Sequence, residues 1–188
     1  AKVRHKVLDL PLVVHVIRAA QKAGVGRIVV VVGHQADSVK ADIHAHCPEG
    51  NIEFALQASP NGTGHAVLMA KEATAGAEKL LILNGDVPGI EADTLEALAM
   101  VHEQSASPLA LATAEITNPT GYGRMVRSEK GDLLDIVEEK DATEDQRGIH
   151  EVNVGLYLVD REFLYEALAD ATPANAQGEI YLTHVVPF

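Results

Sequence analysis

Arg27-Ile28-Val29-Val30-Val31-Val32-Gly33, the run RIVVVVG, decides how its neighbours are read. Unbroken β-branched residues without polar alternation suit a strand covered on both faces, as in a parallel sheet. Parallel strands need long crossovers, usually helices. A helix fits immediately upstream. Asp9 can cap it, Pro11 can open it, and Leu12, Val13, Val16, Ile17 and Ala20 recur at helical spacing before Gly24 stops it. Downstream, 37–44 predicts a short helix with Val39 and Ile43 on one side. Residues 52–56 and 79–83 are further apolar strands, with a helix predicted from about 64 to 73 between them. Leu95, Leu98 and Val101 mark another buried helical stripe, and 109–114 reads as a strand. This alternation predicts an α/β fold with right-handed crossovers.

Beyond Ala114 the rhythm changes. Asn118-Pro119-Thr120-Gly121-Tyr122-Gly123 reads as a loop, and 123–127 and 133–137 as two strands of a hairpin across Gly131-Asp132. The charged stretch 138–147 suits a solvated loop and a short helix. Val152, Val154, Leu156 and Leu158 alternate along a strand, 162–168 is a short helix, and 172–175 breaks the pattern before GEIYLTHVV resumes as a helix.

Apolar residues make up 47% of the 188 and charged residues 22%, which excludes disorder for the chain as a whole. The 15 Lys and Arg against 27 Asp and Glu, a formal charge of -12, argue against a broad nucleic-acid or anionic-lipid footprint. A local basic pocket for a small phosphate ligand is compatible with that total. One cysteine, Cys47, excludes an intramolecular disulfide framework and cysteine-rich metal modules. His44, His46 and Cys47 lie close in sequence without a zinc spacing. No apolar run approaches the roughly eighteen residues of a membrane span, and a cytoplasmic location is expected.

Ligands in open α/β sheets bind beyond the carboxyl ends of strands. Asp86 lies there, after 79–83, with Gly85 allowing close backbone approach. A carboxylate so placed either caps its own turn or holds Mg²⁺ against phosphate oxygens. Gly62-Thr63-Gly64-His65 bridges a strand and a helix, and its backbone amides could meet a base edge or an anion. It matches neither a Walker loop nor a dinucleotide fingerprint. Gln57 offers the donor and acceptor that a pyrimidine edge requires. Asn153 shares a strand face with Glu151 and Gly155, and Glu138 follows a strand end, so both suit either a sugar pocket or plain surface.

The ordered set Gln57, GTGHA, NGDVP, NPTGYGR, IVEEKDAT, EVNVG and NAQGEIYLT resembles the uridylyltransferase domain of bacterial bifunctional N-acetylglucosamine-1-phosphate uridyltransferases, over practically the whole chain. The resemblance implies a Rossmann-like, GT-A-like nucleotidyltransferase fold, a mostly parallel sheet flanked by helices with a small β insertion. It implies transfer of UMP from UTP to N-acetylglucosamine 1-phosphate, with Mg²⁺, giving UDP-N-acetylglucosamine and pyrophosphate. On this resemblance Gln57, Gly62 and Thr63 match positions that recognise uracil, and Asp86 matches the magnesium-holding aspartate. Gly123, Glu138 and Asn153 match the N-acetylglucosamine and ribose side, Tyr181 and Thr183 match later pocket residues, and Lys2 matches a phosphate-neutralising lysine.

The family also has an N-terminal strand with an arginine-containing phosphate loop, a later magnesium-site asparagine, and a left-handed β-helical acetyltransferase half that makes it homotrimeric. These lie outside the 188 residues, which are therefore expected to form an incomplete uridylyltransferase domain of a longer chain. His184 stands where the family has aspartate, and Val154 where threonine is common. Two other readings compete: another sugar-1-phosphate nucleotidyltransferase, such as one using glucose 1-phosphate, and a degenerate nucleotide-sugar-binding module. GTGHA and NPTGYGR together with Glu138 and Asn153 favour the N-acetylhexosamine member.

Overall fold

The computed structural model describes residues 1–172 and 175–187. A 3-10 turn at Lys2–Arg4 leads into two short strands, β1 (Lys6–Val7) and β2 (Leu10–Pro11), paired antiparallel. Leu8 and Asp9 form the turn between them, both with positive φ. Asp9 is thereby used in a hairpin, and the expected cap is not made. Helix α1 (Leu12–Lys22) starts after Pro11 with no side-chain cap. Its end is as expected: the N–H of Gly24 donates to Gln21 O and that of Val25 to Ala20 O.

β3 (Ile28–Val32), α2 (Ala36–His46) and β4 (Ile52–Leu56) follow, and β3 pairs with β4 in parallel from Ile28↔Ile52 to Val32↔Leu56. Val13, Val14 and Ile17 of α1 meet Val39 and Ile43 of α2 over Val32. α3 (Thr63–Met69) is shorter than predicted and passes into turns, where the Thr74 hydroxyl back-bonds to Ala70 O and Lys71 O. After β5 (Lys79–Leu83) comes α4 (Ala92–Gln104). Leu95 and Leu98 are buried as predicted, but Val101 is 58% exposed and His102 lies inside. The spacing 95, 98, 102 continues the i, i+3, i+7 stripe, which residue 101 misses.

The remaining elements are β6 (Leu109–Glu115), β7 (Arg124–Arg127), β8 (Leu133–Val137), α5 (Glu144–Arg147), β9 (Glu151–Asp160), α6 (Arg161–Asp170) and a 3-10 turn at Leu182–Val185. β7 and β8 form the expected hairpin, and α5 has a full capping box between Thr143 and Gln146. The predicted helix after residue 178 is reduced to that single turn. Its first residues are extended because Ile180 N–H donates to Asn61 O while Ile180 O accepts from Gly64 N–H. Of the predicted break at 172–175, Pro173 and Ala174 lie outside the described residues.

β9 organises the larger sheet. It pairs antiparallel with β5, with β6 and, at Arg124↔Val152, with the β7–β8 hairpin, the small β insertion. Leu156 and Leu158 of β9 join Leu81 and Leu83 of β5 against α4. Tyr157 and Val159 join Leu80 and Ile82 on the opposite face against α6. β9 is thus largely buried on both faces. The simple alternation predicted for it gives way to a run of buried residues from Gly155 to Val159.

The α/β class holds, with helices on both sheet faces, but the expectation of a mostly parallel sheet needs a correction. β5 and β6 run in one direction, yet β9 lies between them, so their ladders are antiparallel. Only β3–β4 is a parallel ladder among the described residues, and no ladder joins β3 to β5. Those two strands nevertheless run the same way. At their starts, Arg27 Nη2 donates to Ala75 O. Just beyond their ends, one 3-10 turn touches both, Ala1 through Gln35 and Lys2 through Asp86. Between the strands lies an apolar slot of about 770 Å³, walled by Val29 and Val31, Leu80 and Ile82, with Val16 on one side and Val67 on the other. Among the described residues no helix is long and apolar enough to cross a membrane.

Candidate functional site

The sites predicted from sequence converge beyond the carboxyl ends of β4 and β5. Gln57 extends the β3–β4 register, its N–H donating to Val32 O. Its side-chain Nε2 donates to Gly62 O at 3.0 Å and meets His65 Nδ1 at 2.9 Å. The Gly62 turn is stitched to residues 180–182. Gly64 N–H donates to Ile180 O, and Leu182 N–H donates to Thr63 Oγ1 at 2.9 Å. Gly62 has φ 102° and ψ 171°, a region essentially reserved for glycine. A methyl on it would overlap the Ile180 carbonyl. Thr183 is buried beneath this seam, while Tyr181 stays partly open, its phenol pushed up by desolvation and then by Asp141, Glu179 and Glu138.

On the β9 side, the ladder slips between Leu111 and Thr113, which face Tyr157 and Asn153. Two more residues lie on β9 than on β6 across that slip, and Gly155, with φ 77°, sits inside it. Its backbone packs against Asn84 so closely that a Cβ there would overlap the Asn84 amide. The same bulge fixes Asn153: Oδ1 accepts from Gly155 N–H at 3.0 Å, and Nδ2 donates to the buried Tyr157 hydroxyl at 2.6 Å. Asn153 N–H in turn donates to Gly123 O. Both carboxylate oxygens of Glu138 come within ordinary contact of where a Gly123 Cβ would be. Burial, then the charge of Asp141, pushes the Glu138 carboxyl up.

Asp86 ends the row. Its Oδ2 is 2.6 Å from Lys2 Nζ, and Lys2 is 76% exposed. The Lys2 ammonium is held above its usual value by Asp86, with a smaller contribution from Tyr122. The NPTGYGR loop therefore reaches the same end of the sheet as the Asn84-Gly85-Asp86 turn. Sequence reasoning missed Asn84, Tyr157, Arg124 and Glu139, which brace the predicted residues from behind. Asn84, Arg124 and Glu139 sit inside the quoted motifs, but nothing in a linear pattern says which motif residues brace the others.

The model of the family described as nucleotidyl transferase matches residues 2–187. The chain belongs to that family. The chain is also 47% identical over 188 residues to the bifunctional protein GlmU of Anaeromyxobacter sp. (strain K), covering 100% of this chain and 38% of that relative. To the GlmU of Streptococcus suis (strain 98HAH33) it is 42% identical over 186 residues, 98% of this chain and 39% of the other. The resemblance carried by the ordered motifs is thus borne out, and the chain spans about two fifths of the length of these relatives. A UDP-glucose pyrophosphorylase complexed with UDP-glucose superposes with a TM-score of 0.76 at 18% identity, over 99% of this chain and 77% of that one. An apo UDP-glucose pyrophosphorylase gives 0.79, also at 18% and over the same shares of the two chains. At that identity the likeness establishes the nucleotidyltransferase fold.

The half-buried Glu138 gives a prediction whose sign is fixed. Its folded value lies above its unfolded one, so the native state loses stability as pH rises from the ordinary carboxylate range through the folded value. Glu138→Gln removes that cost. Its thermal midpoint should exceed that of the parent at pH 7, each 1 kcal/mol recovered giving about 2–4 °C in a chain of this size. The difference should vanish by about pH 4, near the unfolded value. A variant less stable at pH 7 than at pH 4, relative to the parent, would show that Glu138 is stabilised as an anion.

Proposed function

We propose that the full-length protein transfers UMP from UTP to N-acetylglucosamine 1-phosphate, forming UDP-N-acetylglucosamine and pyrophosphate. The observation that carries this reading is the convergence of Gln57–Thr63, Gly123–Glu138–Asn153 and Lys2–Asp86 at one end of the sheet. The 42–47% identity to bifunctional GlmU proteins supports it.

In the reaction, a phosphate oxygen of the sugar phosphate attacks the α-phosphorus of UTP. The bond from that phosphorus to the bridging oxygen breaks, and pyrophosphate leaves with the electron pair. Two anions must meet, so alignment and charge neutralisation dominate the catalytic demand. Gln57 and the Gly62-Thr63 backbone take the uracil, with Tyr181 and the buried Thr183 shaping that wall. Glu138 accepts from sugar or ribose hydroxyls. Asn153, locked by Gly155 and Tyr157, still has a second amide hydrogen to offer. Lys2 supplies positive charge toward phosphate.

Among the described residues no three His, Cys, Asp or Glu side chains are grouped as for a metal held by protein alone. One half-buried carboxylate at a strand end still fits Mg²⁺, which characteristically takes one or two carboxylates and completes its shell with phosphates and water. Asp86 would hold it, and the ion when bound would offset phosphate charge.

The slot between β3 and β5 supports a reading of these 188 residues as an incomplete uridylyltransferase domain. Two codirectional strands leave facing edges unpaired across apolar walls, an arrangement that one more parallel strand would complete. The fraction of the GlmU relatives covered, 38–39%, fits that reading. The test is pyrophosphate release from UTP and N-acetylglucosamine 1-phosphate with Mg²⁺, by the full gene product and by the 188-residue chain. Release by the first and little by the second is expected. A full gene product without turnover would overturn the proposed reaction.

A further inference from the structure

We infer that Arg124, through Glu139, is a positioning residue that holds the sugar side of the pocket in shape. The inference rests on the reaction proposed above. Arg124 is the most deeply buried charged side chain among the described residues, 1% exposed, and its hydrogen bonds go to none of the predicted ligand-facing side chains. Its Nη1 donates to Tyr122 O, and its Nη2 donates to Glu139 Oε2 at 2.5 Å. The same Oε2 accepts from Gly121 N–H at 3.1 Å, and Arg147 approaches the other oxygen at 3.8 Å. Arg124 therefore ties both ends of the turn 121–123 to the residue that follows Glu138.

The consequence is geometric. Gly123 and Glu138, which face each other, each have a neighbour in this ion pair: Arg124 follows Gly123, and Glu139 follows Glu138. Gly123 O is also the acceptor for Asn153 N–H. The three residues assigned to the sugar and ribose thus all adjoin one guanidinium–carboxylate contact, which adds to the β7–β8 ladder and the Gly155 bulge. Gln57, Gly62 and Thr63 hang from the separate seam with residues 180–182. An ion pair buried on one side is weak evidence for stability, and Arg124 leaves its buried Nε without a hydrogen-bond partner among the described residues, so its two Nη contacts alone set the geometry. The Glu139 carboxyl is held below its usual range, first by Arg124 and then by the Gly121 N–H.

The division into two seams gives the test, made in the full-length protein with Glu139→Gln, Arg124→Gln and Arg124→Lys. Glu139→Gln should raise KM for N-acetylglucosamine 1-phosphate about fivefold to tenfold and leave KM for UTP within about twofold. Amide exchange at Gly121 and Asn153 should quicken about tenfold, with the amides of β3 and β4 unchanged. Arg124→Lys should recover part of what Arg124→Gln loses, because it keeps the charge but only one of the two contacts. If the Arg124 variants do not fold, Glu139→Gln decides alone, since Glu139 is only partly buried. Equal effects on both KM values, or an unchanged sugar-phosphate KM, would overturn the positioning role. A parent protein that neither turns over nor binds N-acetylglucosamine 1-phosphate would overturn the reaction instead, and the exchange pattern would then judge the clamp by itself.

Discussion

Asp86→Ala in the full-length protein should lower turnover by about a thousandfold, roughly 4 kcal/mol of transition-state stabilisation, with the urea midpoint essentially unchanged. The two halves of that expectation come from different features of one residue. Asp86 follows β5 at the point where Asn84 packs on the β9 bulge and Gly85 comes up against Val3. It is therefore well placed in space by neighbours that survive its removal. Its one ion pair, with the exposed Lys2, is of the surface kind that contributes about 0–1 kcal/mol. Asp86→Asn should lose nearly as much activity as the alanine variant, because a neutral amide keeps the shape and not the charge. Steady-state rates with saturating UTP and Mg²⁺ check this, and near-parental rates in both variants would remove Asp86 from the proposed metal site.

Gly62→Ala should act on the fold itself. The backbone there occupies a region closed to residues with a Cβ, at a cost of about 1–3 kcal/mol. The added methyl would also overlap the Ile180 carbonyl, which is fixed by Gly64 N–H, at a further cost of about 1–3 kcal/mol. Together these predict a loss of about 2–6 kcal/mol in urea unfolding and a raised KM for UTP in whatever folded protein remains. Gly76, also at positive φ but with open space around it, is the control. Gly76→Ala should cost only the backbone strain. If Gly62→Ala were no worse than Gly76→Ala, the seam between residues 61–64 and 180–182 would not be the rigid wall described.

The elements that were legible in the sequence are those set by local pattern. The β-branched run 28–32, the apolar segments 52–56 and 79–83, the stripe of α1 and the hairpin of β7 and β8 all appear within a residue or two of expectation. What escaped depends on contacts between distant segments. Asp9 looks like a helix cap until Lys6 and Val7 pair with Leu10 and Pro11 and claim it for a turn. Val101 is apolar and lies three residues after Leu98, so it reads as stripe, although the i, i+3, i+7 spacing from Leu95 falls on the polar His102, which is the residue buried. β9 reads as an alternating strand, although it is flanked by β5 and β6 and covered by α4 and α6, so its alternation fails.

The site divides in the same way. Gln57, Gly62, Asp86, Glu138 and Asn153 are marked because glycines and isolated polar residues near strand ends are visible in one dimension, and Gly123 is marked only through the family resemblance. Their braces are not. Arg124 reads as part of the strand 123–127 with nothing to mark it as buried, and its partner Glu139 lies fifteen positions later in a stretch that reads as surface charge. Tyr157 is not marked by the alternation of 152, 154, 156 and 158, and its hydroxyl meets the site because the Gly155 bulge turns the Asn153 amide onto it.

The identity of the nucleotide-sugar product decides whether the proposed reaction is the one catalysed. The full-length protein, given UTP, Mg²⁺ and equal amounts of N-acetylglucosamine 1-phosphate and glucose 1-phosphate, should convert the first in clear preference to the second. Mass analysis should then show UDP-N-acetylglucosamine accumulating in step with pyrophosphate. UDP-glucose as the main product, or no nucleotide sugar at all, would contradict it.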